Sequence, residues 1–138
     1  RQDPTSPYSG VISIFLSRIG TGQKVTVFGD GEQTRDFVYV MDVVAHLMAA
    51  MHVLNSDMVP EPVALNVCTA RATSINQLAE IIARLCGKPL DLAHETPRTG
   101  DIRHSLGNAF LAANYLNISA GTPLDKGLKQ TIDSIKNH

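Results

Sequence analysis

Apolar residues recur along this chain in two rhythms, one near 3.6 residues and one near 2, which divide it into helices and short strands. Between Ser9 and Ile19, the positions Val11, Ile12, Phe15, Leu16 and Ile19 predict an amphipathic helix that Gly20-Thr21-Gly22 stops. Val25, Val27 and Phe28 then lead into the turn residues Gly29-Asp30-Gly31, and Phe37 to Val40 follow. That segment reads as a β-hairpin or two linked short strands, with Arg35 on or beside the second. Asp42 is placed to cap a second helix whose Val44, Leu47, Met48, Met51 and Leu54 form a broad apolar stripe.

Asn55 to Pro62 reads as a loop and Val63 to Val67 as a short strand. Ser74 with Gln77 three residues on is a capping box opening a third helix, which buries Ile75, Leu78, Ile81, Ile82 and Leu85 and ends at Gly87 and Pro89. Leu90 to Ala93 suits a strand, followed by the polar loop ETPRTGDIRHS with its basic residues Arg98, Arg103 and His104. A shorter helix is expected from Ala109 to Leu116. A last one, capped by Thr122 with Pro123 in its first turn, runs to about Ile135 with Leu124, Leu128, Ile132 and Ile135 buried.

The 138 residues are 43% hydrophobic and 18% charged with a formal net charge of −1, and the isoelectric point lies near 6.6. These are the proportions of one globular domain. Near-neutral charge argues against broad nucleic-acid or anionic-membrane binding, so an anionic ligand must meet locally placed cations. No apolar run approaches the roughly 20 residues that span a bilayer, and the start RQDPTSPYSG carries no hydrophobic signal region. Cys68 and Cys86 stand alone, without disulfide or zinc spacing, and read as small buried residues in a reducing cytoplasm. Because the chain opens on Arg1 within a polar loop, a piece of something longer is expected.

The usual catalytic motifs fail. A dinucleotide loop needs Gly-x-Gly-x-x-Gly between a strand and a helix, so that N–H groups at the helix start hold pyrophosphate. Gly29-Asp30-Gly31 continues with Glu32, Gln33 and Thr34, and Gly20-Thr21-Gly22 meets Val25 at the third glycine position, so both read as turns. A Tyr-x-x-x-Lys pair would place a phenol and an ammonium on one helix face for proton transfer. None exists: Tyr8 is followed by Ile12, Tyr39 by Val43 and Tyr115 by Ser119. No Gly-x-Ser-x-Gly elbow is present. The histidines are scattered, and His46 and His52 lie on different helix faces, which predicts structural histidines and no metal site.

Two arginine-bearing segments are left, GDGEQTRDFVYV and RTGDIRHS. A guanidinium is a permanently charged planar fork matched to phosphate oxygens, and two forks from separate segments suit a diphosphate. The rival reading makes Arg35 a surface ion-pair partner of Asp36, Asp42 or another carboxylate.

VTVFGDGEQTRDFVYVMDVV resembles a signature of NAD-dependent nucleotide-sugar epimerases and dehydratases, the extended short-chain dehydrogenase/reductase family. The likeness continues in register: ALNVCTARATSINQLAEII is similar to the family's strand-to-helix passage, RTGDIRHS to its late phosphate loop and TPLDKGLKQTI to its final helix, and RQDP to the end of a Tyr-Gly-Pro-Arg-Gln segment. The resemblance implies an α/β fold: residues 1–138 as a small mixed α+β substrate-binding domain of the UDP-galactose 4-epimerase type, lacking the N-terminal Rossmann domain. It implies the UDP-binding portion of a UDP-hexose 4-epimerase, with a 4,6-dehydratase, a reductase or a non-catalytic binding module as alternatives. NAD would serve the intact parent, plausible as a homodimer, and not this portion, which is expected to be inactive alone and to self-associate through exposed strand edges.

By the same resemblance Arg35 and Arg98 contact the diphosphate, Asp101 the ribose hydroxyls, and Thr26 with Phe28 the uracil ring. Phe28 is equally readable as a core residue and Asp101 as a loop former. Three positions depart from the family's habit: Asn108 where Asp is frequent, Leu116-Asn117 for Leu-Gly, and Cys68 for glycine. Asparagine caps helices and tolerates left-handed backbone, so the fold is expected to survive, whereas Cys68 is expected to crowd its strand end.

Overall fold

The spine of the fold is α3 (Ile75–Cys86), and local chemistry explains it. Ser74 Oγ accepts from the Gln77 N–H at 3.2 Å while the Gln77 side chain accepts from the Ser74 N–H at 3.0 Å, closing the expected capping box. Ile75, Leu78, Ala79, Ile82 and Ala83 form its buried face, and Gly87 in left-handed conformation ends it. Around that face pack Phe15 and Ile19 of α1 (Val11–Gly20) and Leu128 of α5 (Leu124–Lys136). Ile132 is buried too, but Ile135, expected on the same side, is 61% exposed. The computed structural model describes residues 10–55 and 62–136. The opening RQDPTSPYS and most of the expected Asn55–Pro62 loop lie outside the described residues.

The described strands form two small sheets. β1 (Val25–Phe28) pairs in parallel with β4 (Leu92–Glu95), from Val25↔Leu92 to Phe28↔Glu95. β2 (Thr34–Arg35) pairs antiparallel with β3 (Thr73–Ser74). Alternation along β1 buries Val25 and Val27 in the core and turns Thr26 and Phe28 to the other side.

This differs from the hairpin reading. The segments flanking Gly29-Asp30-Gly31 do not pair with each other, and Phe37 to Tyr39 form no strand. After Gly29 the backbone is drawn toward α3: Asn76 N–H donates to Gly31 O at 3.1 Å. Gly31 has φ +76 and lies against the Asn76 amide, where any Cβ would collide. The β1 edge is thereby left to β4. The latter begins two residues later than the expected Leu90 start.

α2 (Val40–Leu54) follows Tyr39, not Asp42, as its N-cap. The Asp42 carboxylate instead accepts from Thr122 N at 3.0 Å and Thr122 Oγ1 at 2.8 Å, so the Thr122 hydroxyl expected to cap α5 is engaged there. The stripe of α2 is largely in solvent, from Val44 at 40% exposed to Leu54 at 65%. Its buried residue is His46, whose Nδ1–H donates to Asp42 O at 2.6 Å. Val63 to Val67, expected as a strand, has no ladder partner among the described residues and stays irregular.

The departures are accommodated locally. Asn108 Oδ1 accepts from Phe110 N at 2.9 Å at the start of α4 (Phe110–Leu116), and Asn117 after it is left-handed with φ 50. Cys68 is buried and Cys86 half-buried. Cys68 fits because residue 107 is glycine: a Cβ there would stand 2.5 Å from Sγ. Between them the Asp36 carboxylate gathers Thr69 N at 3.0 Å, Thr69 Oγ1 at 2.5 Å, Ala70 N at 2.9 Å and Gly107 N at 3.4 Å.

Candidate functional site

Parallel pairing brings the carboxyl ends of β1 and β4 side by side, and ligands of open α/β sheets bind beyond such ends. A cleft of about 720 Å³ opens there. Thr26 and Phe28 enter it from β1, Arg35 from β2, and Arg98 and Asp101 from the loop after β4. All five residues expected to meet a nucleotide therefore share one cavity.

Their mutual geometry is specific. The Arg98 guanidinium carbon stands 3.9 Å from the centroid of the Phe28 ring, a cation–π contact that occupies one ring face. Arg35 Nη1 donates to Thr34 O at 2.8 Å and Ile102 O at 2.6 Å, and its Nη2 to Asp101 Oδ1 at 2.7 Å. The ion-pair reading of Arg35 is thus right in kind, but the partner is Asp101, not Asp36 or Asp42. Asp101 also has loop character, its N–H donating to Arg98 O at 3.2 Å. Further along, Thr34 N donates to Arg103 O at 2.9 Å and Ser105 N to Thr34 O at 3.1 Å, stitching the loop to β2.

Arg103 meets Asp30 in a two-pronged pair at 2.6 and 2.9 Å. The Arg103 bonds, with the Glu32 N–H behind them, lower the Asp30 carboxyl to about 2, and the bond to Asp30 raises Arg103. Of the four arginines at the cleft and its mouth, Arg35 and Arg103 are matched to carboxylates. Arg18 and Arg98 have no carboxylate partner among the described residues.

Sequence reasoning missed several lining residues. Arg18 arrives from α1, one helical repeat beyond Val11 and Ile14, a spacing visible in the sequence. Gln33 gives no such signal: it is 8% exposed, and its Nε2 donates to Phe28 O at 2.8 Å, fixing the turn beneath the ring. His94 and His104 bond Asn76 and Thr34, as structural histidines do. Among the described residues no cluster suits a metal ion, and no helix is long and apolar enough to cross a membrane.

Comparison with known proteins addresses the resemblance directly. Residues 1–68 match the model of the NAD dependent epimerase/dehydratase family. The UDP-glucose 4-epimerase of Mycolicibacterium smegmatis is 32% identical over 99% of this chain and 42% of its own. The UDP-glucose 4-epimerase of Thermotoga maritima, solved with UDP-glucose, superposes with a TM-score of 0.87 at 35% identity, over 99% of this chain and 42% of that one. The chain is similar to the NAD-dependent epimerase/dehydratase family. Within it, the Thermus thermophilus UDP-glucose 4-epimerase, solved with NAD, superposes with a TM-score of 0.80 at 27% identity, over 99% of this chain and 42% of that one. Other matching members include a UDP-glucuronic acid decarboxylase of Xenopus tropicalis and a dTDP-4-dehydro-6-deoxy-D-allose reductase of Streptomyces bikiniensis. The chain spans about 42% of the length of the epimerases it matches, and its mixed α/β fold corresponds to that share of them.

Proposed function

We propose that residues 1–138 are the nucleotide-sugar-binding part of a UDP-hexose 4-epimerase and hold the UDP moiety in the cleft. The observation that carries this is the convergence of Thr26, Phe28, Arg35, Arg98 and Asp101 on one cavity, whose size of about 720 Å³ suits a small organic ligand. Arg98, without a carboxylate partner among the described residues, offers its fork to the diphosphate, and Arg35 adds a second guanidinium from β2. Asp101 keeps Oδ2 for a ribose hydroxyl while Oδ1 holds Arg35. Phe28 gives the uracil a ring face, Thr26 beside it a hydroxyl.

NAD is assigned to the rest of the parent enzyme. This chain's own glycines do not fit it: Gly22 follows a helix end, and Gly31 lies between two strands with the Asn76 amide against it, so neither forms a strand-to-helix cradle for pyrophosphate. The exposed apolar side chains of α2 and Val63 to Val67, which has no ladder partner among the described residues, fit the same division, with the remaining length of the relatives supplying their cover. In its absence the chain self-associates through these surfaces and lacks epimerase activity. A strictly monomeric particle in light scattering would count against the first statement.

Calorimetry tests the binding assignment. UDP binds in preference to GDP, and Arg98→Ala weakens it by about tenfold, as loss of a charge-assisted contact implies. Equal UDP affinity in the variant would remove Arg98 from the site.

A further inference from the structure

The two-pronged Asp30–Arg103 pair at the mouth of the cleft belongs to none of the roles above. We propose that Asp30 and Arg103 form a positioning pair that fixes the loop carrying Arg98 and Asp101, an inference that rests on the nucleotide-diphosphate reading of those two residues. Asp30 is well suited to anchor a loop because it is itself held on the buried spine. Its carboxylate accepts from Glu32 N at 3.0 Å and its carbonyl from Asn76 Nδ2 at 2.9 Å. Asn76 also donates to Glu32 Oε1 at 2.7 Å, and its own N–H to Gly31 O. Through Asn76, in the first turn of α3, the turn after β1 is tied to the core helix.

Arg103 reaches that frame from the far end of the loop. At the near end, Gly29 N donates to Glu95 O at 2.8 Å. Besides the Arg35 and Thr34 bonds to this loop, two attachments to the same turn thus flank Arg98 and Asp101, and a planar guanidinium on two carboxylate oxygens fixes orientation as well as distance. An ordinary surface pair makes a different prediction, because Asp30 lines the same recess as Arg98 and Asp101. If only charge mattered, removing that carboxylate would free Arg103 and strengthen binding of an anion.

The test uses the 138-residue chain, with UDP as probe and amide hydrogen exchange as a second readout needing no ligand. Asp30→Asn and Arg103→Gln each weaken UDP binding by about threefold, the scale of a well-formed exposed pair. Both accelerate exchange at the Asp101 and Thr34 amides, which close onto Arg98 O and Arg103 O, and leave the Leu78 and Ile82 amides unchanged. The double variant Asp30→Arg with Arg103→Asp restores both quantities. Unchanged or tighter UDP binding in Asp30→Asn, or unchanged exchange at both loop amides, overturns the positioning role. If the parent chain fails to bind UDP while the loop amides still respond, positioning stands and the nucleotide reading falls.

Discussion

α2 and α3 are helices of similar length with opposite fates. α2 carries the denser run of large apolar residues, Val44, Leu47, Met48, Met51 and Leu54 among them, yet each is at least 40% exposed. α3 is more mixed, alternating Asn76, Gln77, Glu80 and Arg84 with its apolar face, yet Leu78 and Ile82 are wholly buried. Apolar content shows what a helix is able to bury. Whether it does so depends on a partner surface, and α3 finds one in α1, β1 and α5. An exposed apolar face of this extent is a surface able to take a partner, and the proposal above gives it to the part of the relatives' length that this chain does not span.

The sharpest way to break the contrast is to damage α3. Leu78→Ala, at a position with no exposure, is expected to lower unfolding free energy by about 2–5 kcal/mol in denaturant titration. A loss under 1 kcal/mol would deny α3 its role as spine. The cap is next: Ser74→Ala, removing the acceptor for Gln77 N, is expected to cost about 1 kcal/mol. Smallest in stability is the double substitution Leu47→Gln with Met51→Gln on α2, expected to stay within about 0.5 kcal/mol while reducing self-association in sedimentation velocity. A large destabilisation there would mean that α2 is packed within the chain after all.

The same two helices show what was legible beforehand. The limits and cap of α3 are written within a few residues of each end, in Ser74, Gln77 and Gly87, so the sequence suffices. The exposure of α2 was not legible, because periodicity reports a face and not what lies opposite it. Strand pairing failed for a related reason. Turn residues after β1 suggest its nearest neighbour in sequence, whereas the actual partner arrives after α3, once Asn76 has claimed the turn backbone.

At the candidate site, the five residues that share the cleft could be named from sequence because each stands inside a recognisable motif. Their pairing was not, since Arg35 has two nearer acids in sequence. Asp36 is committed to the 69–70 backbone and Gly107, and Asp42 to Thr122, which leaves Asp101. Asp30 and Arg103 lie 73 residues apart, and no local pattern links them.

The parallel β1–β4 ladder also governs the order in which the cleft comes into being. α3 has its cap and stop nearby and can form early, but Arg35 and Ile102 meet across 67 intervening steps of chain. Contacts of such separation must first close a long loop, which slows folding, so the cleft is expected to mature late, on a core already assembled. Closure cost rises only with the logarithm of length, about 0.6 kcal/mol per doubling. The stretch between α2 and Cys68, ahead of the residues that Asp36 holds, is therefore where a change of chain length costs the register of the ladder least.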